Sequence, residues 1–289
     1  DAPTISEGII AAGLDWQVIE RPVYWFDDED NRHQATEYIN LVRDRDNVHL
    51  GVVGKKYKPL QNMEAFQWFD FLLHDGDAIL EAAGSLKNGK RIWVLAKVNT
   101  EALEVRDGDL VNPYLLLHNS HDGTTAVWIN FTPIRVVCKN TLTIAANRGY
   151  SDAKIGKALN IRHSSSLNER MSTAKNSMDF ARQLFPQSLE QYRAIAKKRI
   201  SLSDFDRYLE LVLDIEKACD HRDYESILAN FGEGRGNRGE TYWDAYNGVT
   251  EWLDHQRGRT PETRLESAWF GDSAKVRAKA HEIALSICT

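Results

Sequence analysis

The sequence predicts an α+β protein: an antiparallel β-sheet built from hairpins around one central helix, followed by an α-helical C-terminal region. Three observations carry this expectation. Up to residue 131, short apolar and β-branched runs alternate with turns rich in Gly, Asn and Asp. One segment there, QNMEAFQWFDFLLHDG, changes to helical spacing. From about residue 166 the pattern is helical almost to the end. The boundary falls near 150–165 and divides a β-rich core domain, 1–160, from a helical region, 161–289.

Taken in order, residues 4–13 read as a short helix capped by Thr4 or Ser6 and ended by Gly13. Strand-forming residues follow from Trp16 to Phe26, and the cluster DDEDN turns the chain into two further strands, Glu37 to Val42 and Val48 to Val53. The central helix has Asn62 as its expected N-cap, with Met63, Phe66, Phe69, Leu72 and Leu73 at helical spacing and Gly76 as its stop. A hairpin joins Ala78–Leu86 to Arg91–Val98, since Asn88-Gly89 suits a turn that needs positive φ. A second joins Tyr114–Ser120 to Ala126–Phe131 around Asp122-Gly123. With Thr132 as N-cap and Pro133 in the first turn, residues 134–149 are expected to form a helix. Helices are then expected over Ser166–Leu184 and Leu189–Ile200, separated by Pro186. Others are expected over Ser203–Asp220, with Ser203 as N-cap, over Tyr242–His255 and over Ser273–Ile287.

Composition narrows the class. Hydrophobic residues make up 42% and charged residues 27%, enough apolar matter for a packed core. No apolar run reaches the roughly 20 residues a membrane helix needs, and no basic-then-apolar leader opens the chain. The first residue is not Met, so a few residues are expected to have preceded it. Three scattered cysteines, Cys138, Cys219 and Cys288, fit a reducing cytoplasm better than a disulfide or zinc framework. The net charge of −6 is uneven: over residues 131–200, 13 Lys/Arg stand against 4 Asp/Glu, giving +9. A local cationic stretch in an acidic chain is a candidate surface for a polyanion.

Within that stretch Arg135 and Lys139 lie four apart and share one face of the expected helix, where like charges repel and an anion would relieve them. Arg148, Arg162 and Arg170 extend the series. These five are the expected phosphate contacts, and Lys87, Lys90 and Arg91 on the first hairpin form a second basic rail. Arg235 and Arg238, on the glycine-rich stretch from Gly232 to Gly239, suit either a phosphate-gripping loop or a flexible connector. Trp243, Tyr246, Trp252 and Trp269 offer stacking surfaces, but Trp243, Tyr246, Val249, Thr250 and Leu253 fall at helical spacing, so most of them fit a core better. His118, His121 and Asp122 resemble a metal cluster in composition only, because 118 and 121 point to opposite faces of a strand; no metal and no other cofactor is expected. No nucleotide-binding loop, GxSxG elbow or HExxH pair is present, so no catalytic residue is assigned.

Several motifs are familiar together: LGVVGKKYKPLQNMEAFQWFD, AAGSLKNGKRIWVLAKV, PYLLLHNSHDGTTAV, TPIRVVCKNTL, IRHSSS, YWDAYNGVTEWLDH and SAWFG. From about Leu14 to Ile287 the chain resembles a family of uncharacterised phage- or plasmid-like proteins. The order hairpin, helix, hairpin, long helix is similar, more remotely, to the RecT, Red-beta and Erf group of single-strand annealing proteins. That resemblance implies single-stranded DNA binding or annealing in recombination without nucleotide hydrolysis, by a homo-oligomer in the cytoplasm. The alternative is an oligomeric assembly or host-interaction protein with no nucleic-acid role.

Overall fold

In the structure, a computed structural model, residues 4–67, 76–138, 160–161 and 185–288 are described. The chain is α+β. It divides into two compact units, Asp1–Asn99 with Tyr114–Phe131 and Tyr150–Asp179, and Thr100–Pro113 with Thr132–Gly149 and Phe180–Thr289. The expected boundary near 150–165 lies mainly outside the described residues.

The first unit opens with α1 (Ile5–Ala11), whose N-cap is Thr4: its hydroxyl accepts from the Glu7 amide while Glu7 reaches back to Thr4. Three antiparallel strands follow, β1 (Val18–Phe26), β2 (Arg32–Arg43) and β3 (His49–Gly54), in that order across a sheet. A helix, α2, is described over 62–67. Asn62 lies at its start but is not its cap. The side chain is buried and donates instead to the carbonyls of Leu14 and Trp16, at 3.0 and 3.3 Å.

Strands β4 (Ala78–Leu86) and β5 (Arg91–Val98) form the expected hairpin. Its turn uses positive φ at Lys87, Asn88 and Gly89, a four-residue connection rather than a two-residue one. Then come β6 (Leu103–Arg106), β7 (Asp109–Ser120), β8 (Val127–Arg135) and β9 (Asn160–Ile161). The strand order is β4-β5-β7-β8-β9, with β6 paired to the start of β7. Residues 109–113 of β7 and 132–135 of β8 belong to the second unit, the remainder of both strands to the first. The core of the first unit is apolar and fully enclosed, with Leu14, Leu41, Leu50, Leu60, Phe66, Ile92 and Leu117 all buried.

The expected helix over 134–149 is not found where the residues are described. Strand β8 runs through Pro133 to Arg135, and 136–138 form a turn. Along β8 the buried positions Val127, Ile129, Phe131, Pro133 and Arg135 keep a period of two, so the strand carries Arg135 inward.

The second unit holds the helices: α3 (185–197), α4 (Leu202–Leu213), α5 (Tyr224–Glu233), α6 (Tyr242–Glu251), α7 (Pro261–Phe270) and α8 (Asp272–Cys288). Pro186 lies within the described part of α3, so it does not separate that stretch from Leu189 as expected, and the expected helix over Ser166–Leu184 lies outside the described residues. Ser201 rather than Ser203 caps α4. Residues Trp252–Gln256 prolong α6 by a π turn. The core of this unit is aromatic, with Tyr192, Phe205, Tyr208, Trp243 and Tyr246 buried.

Helices α5 and α6 approach closely at Gly248. A methyl there would stand 2.9 Å from the Phe231 amide nitrogen and 3.1 Å from its Cα, both backbone atoms that cannot turn aside. Gly to Ala in a helix ordinarily gains about 1 kcal/mol. Here overpacking reverses the sign, and Gly248→Ala is expected to lose a net ~1–2 kcal/mol, read as a lower urea midpoint at unchanged slope.

Candidate anion-binding loop

The last turn of α5 runs into Gly232-Glu-Gly-Arg-Gly-Asn-Arg-Gly239. Two glycines there are required by sterics. A Cβ on Gly234 would meet the Asn230 carbonyl oxygen, and Gly236 has φ +77° with the Arg135 guanidinium where a side chain would go. The amide of Gly234 donates to Asn230 O and that of Asn237 to Gly234 O, so the chain turns tightly back towards α6.

Two carboxylates and two guanidiniums hold the loop from beneath. Asp244 is the third residue of α6 and forms a capping box with Thr241. It also accepts from the amides of Arg238 (3.1 Å) and Glu240 (3.2 Å) and from Arg106 Nη2 (2.5 Å). Asp109, at the start of β7, accepts from Arg135 Nε (2.7 Å), Arg135 Nη2 (2.6 Å) and the Trp243 indole (2.8 Å). The two arginines also converge on the loop itself. Arg106 Nη2 and Arg135 Nη2 both donate to Gly236 O, at 2.6 and 2.8 Å, and Arg135 Nη1 donates to Asn237 Oδ1 at 2.8 Å. Asn237 completes the clamp by donating to Asn230 O at 2.7 Å.

The electrostatics of this quartet balance. Burial alone would drive Arg135 towards neutrality, but the Asp109 carboxylate more than offsets that and raises its pKa. Burial likewise acts to raise Asp244, and the hydrogen bonds and charge of Arg106 outweigh it and lower the pKa. Two guanidiniums face two carboxylates at ion-pair distance, so their formal charges cancel and they supply geometry rather than attraction for a ligand.

What the loop displays is different. Arg235 and Arg238 are exposed, and neither side chain has a partner among the described residues. Exposed Glu233 and Glu240 flank them. Two exposed guanidiniums on backbone fixed from below can meet phosphate oxygens, and each can do so bidentately.

The expected contacts fall in several places. Arg135 is a correction: it is 0% exposed and neutralised by Asp109, so no phosphate reaches it, and it acts as a strut for the loop. Lys139, Arg148, Arg162 and Arg170 lie outside the described residues. Lys87 is exposed at the β4–β5 turn, while Lys90 and Arg91 are half-buried. That turn is docked rather than projecting, for Gly89 is buried and Arg43 donates to the Asn88 carbonyl.

His118 and His121 are interior residues. His118 stacks on Trp128, and His121 bonds the Asn62 side chain at 2.9 Å and meets the edge of Trp16. Asn119 donates to Leu60 O, and Asp122 accepts from the Thr124 amide at the turn. Among the described residues no three His, Cys, Asp or Glu side chains converge on a possible metal position. Trp243, Tyr246 and Trp252 are buried and Trp269 is half-buried, so the core reading holds for most of them. No helix among the described residues is long and apolar enough to cross a membrane.

Compared with known proteins, residues 49–269 match the family described as a domain of unknown function, DUF932. No curated protein and no solved structure matches the chain.

Proposed function

The chain belongs to the DUF932 family, a description that assigns no chemistry, and from the geometry we propose that it is a nucleic-acid-binding protein acting through the loop from Gly232 to Gly239. In this reading it binds or anneals single strands in recombination of a phage- or plasmid-like element, without nucleotide hydrolysis. The observation that carries it is the pair Arg235 and Arg238, exposed and without partners among the described residues, on a loop clamped by Arg106 and Arg135. Lys87 on the β4–β5 turn is a second, separate candidate for phosphate contact.

The test is fluorescence anisotropy of a labelled single-stranded oligonucleotide at two or more salt concentrations. Each phosphate neutralised on a single strand contributes about −0.7 to the slope of log K against log salt. The double substitution Arg235→Ala, Arg238→Ala should therefore weaken binding and flatten the slope by ~1.4. Both side chains are exposed, so the fold should be unaffected. Absence of binding, or a slope that does not change, sinks the reading.

The second reading, an assembly or host-interaction protein, is favoured by a different feature, the exposed aromatic ribbon of β1 and β2.

A further inference from the structure

Strands β1 and β2 run on past their neighbour. Strand β3 pairs with residues 38–42 of β2, whereas β1 and β2 remain paired out to Phe26 and Arg32. The outer part of this ribbon is thus two-stranded, an arrangement that is marginal in water without a third strand or a covering surface.

It is also where the apolar surface collects. Tyr24, Trp25 and Phe26 are 41, 52 and 61% exposed, Tyr38 at the last pair with β3 is 55% exposed, and every exposed large aromatic among the described residues is one of these four. Aromatics gathered on an exposed ribbon mark an interaction surface rather than ordinary scatter. Both faces of the ribbon already hold a cation or a cationisable ring. Arg32 lies 4.6 Å from the Tyr24 ring centre, and His33 stacks on Trp25 at 4.5 Å.

The charge around these rings is negative. From Val18 to Tyr38 there are six carboxylates against two guanidiniums. At the tip Asp27 is used internally, accepting from the amides of Glu29 and Asn31, but Asp28 and Asp30 are exposed and without ion partners among the described residues. A phosphate backbone would be repelled here, so the rings are not a base-stacking platform. Cations are favoured twice over, by the carboxylates and by the ring faces. The two ribbon edges differ as well. Pro22 removes a donor from β1, while beyond Glu37, whose carbonyl accepts from the Lys55 amide, residues 32–36 of β2 pair with no strand on their outer edge among the described residues, which leaves that edge to an added strand.

We propose that the outer β1–β2 ribbon is a docking site for an extended, Lys/Arg-rich peptide segment of a protein partner. The segment adds along the outer edge of β2 with its cations near Tyr24, Trp25, Phe26, Asp28 and Asp30. This rests on no part of the loop reading.

The experiment uses the full chain and three labelled probes: a peptide alternating Lys and Val, its Glu and Val counterpart, and an oligothymidylate. The Lys peptide should bind saturably and lose affinity as salt rises, and the Glu peptide should not bind. Trp25→Ser with Phe26→Ser should weaken the Lys peptide about tenfold or more, as should Asp28→Asn with Asp30→Asn to a lesser degree. Arg235→Ala with Arg238→Ala should leave it unchanged. The Asp pair is fully on the surface, so it keeps the test decisive if the aromatic variant misfolds. The proposal is overturned by no saturable binding of the Lys peptide, by equal binding of the Glu peptide, or by indifference to the Asp pair. It is equally overturned if the ribbon variants abolish oligothymidylate binding, which would make the ribbon a nucleic-acid surface. A self-association lost in Trp25→Ser would instead make a second copy its occupant.

Discussion

Asp109→Ala is expected to lower the unfolding free energy of the second unit by roughly 3–5 kcal/mol, among the largest effects of any single substitution in the chain. The carboxylate is about 5% exposed and receives three hydrogen bonds, two from Arg135 and one from the Trp243 indole, with Arg106 Nε a further 3.6 Å away. Removing it leaves two guanidiniums facing one carboxylate, Asp244, in a site where Arg135 and Asp244 are fully buried and Arg106 is 15% exposed. The Trp243 N–H is orphaned in the same step. The double substitution Asp109→Leu with Arg135→Met removes the charges together, so much of the lost stability should return, since breaking a buried pair is worse than deleting it. It should not restore the loop. Gly236 O and Asn237 Oδ1 would still lack the donors Arg135 supplies, and oligonucleotide affinity should stay low while the urea midpoint recovers. A double variant no more stable than Asp109→Ala would show that the quartet is not the electrostatic unit described.

Why this site was only half legible follows from particular residues. The hairpin at Asn88-Gly89 and the capped helix after Thr4 are local, and local chemistry decided them. Arg135 was misplaced because Thr132-Pro133 is equally good as a helix start, and Arg135 with Lys139 looks like one helical face. The signal that contradicts this is present in the sequence: Val127, Ile129, Phe131, Pro133 and Arg135 continue a single period-two phase, as β8 shows. Its partner Asp109 is 26 residues away, and nothing short-range announces that pairing. The β6–β7 hairpin that delivers Asp109 was also missed, although Asp107-Gly108 lies at its turn, with φ +75° at the glycine. Helix α7 was missed beside its own signature, Thr260 as N-cap followed by Pro261. The exposed ribbon was legible as strands but not as a surface, because exposure of Tyr24 to Phe26 depends on where β3 stops.

Acid should weaken both units between about pH 6.5 and pH 4, through two histidines buried in neutral form. Burial pushes His281 down to about 4, and burial together with nearby Arg91 pushes His118 down to about 3. His281 sits on α8 between the rings of Tyr192 and Tyr246, at 5.5 and 5.4 Å, and its Nε2 has no hydrogen-bond partner among the described residues. The sign follows from which state binds the proton. Above pH 6.5 the imidazole is neutral folded or unfolded, and stability is at its full value. Between 6.5 and about 4 only the unfolded chain takes up the proton, so stability falls by about 1.4 kcal/mol per pH unit. Below the folded value both states are protonated and the loss levels off. For His281 that window amounts to ~3 kcal/mol, and His118 adds a loss of the same sign in the first unit. Replacing His281 by Leu removes the titrating group while keeping an apolar side chain of similar bulk among the tyrosines. Urea unfolding of the second unit at several pH values should then show a slope shallower by one proton across this window, with His118→Leu doing the same for the first unit. An unchanged slope in His281→Leu would mean that the imidazole is solvated, or charged, where the aromatic core is described as closed.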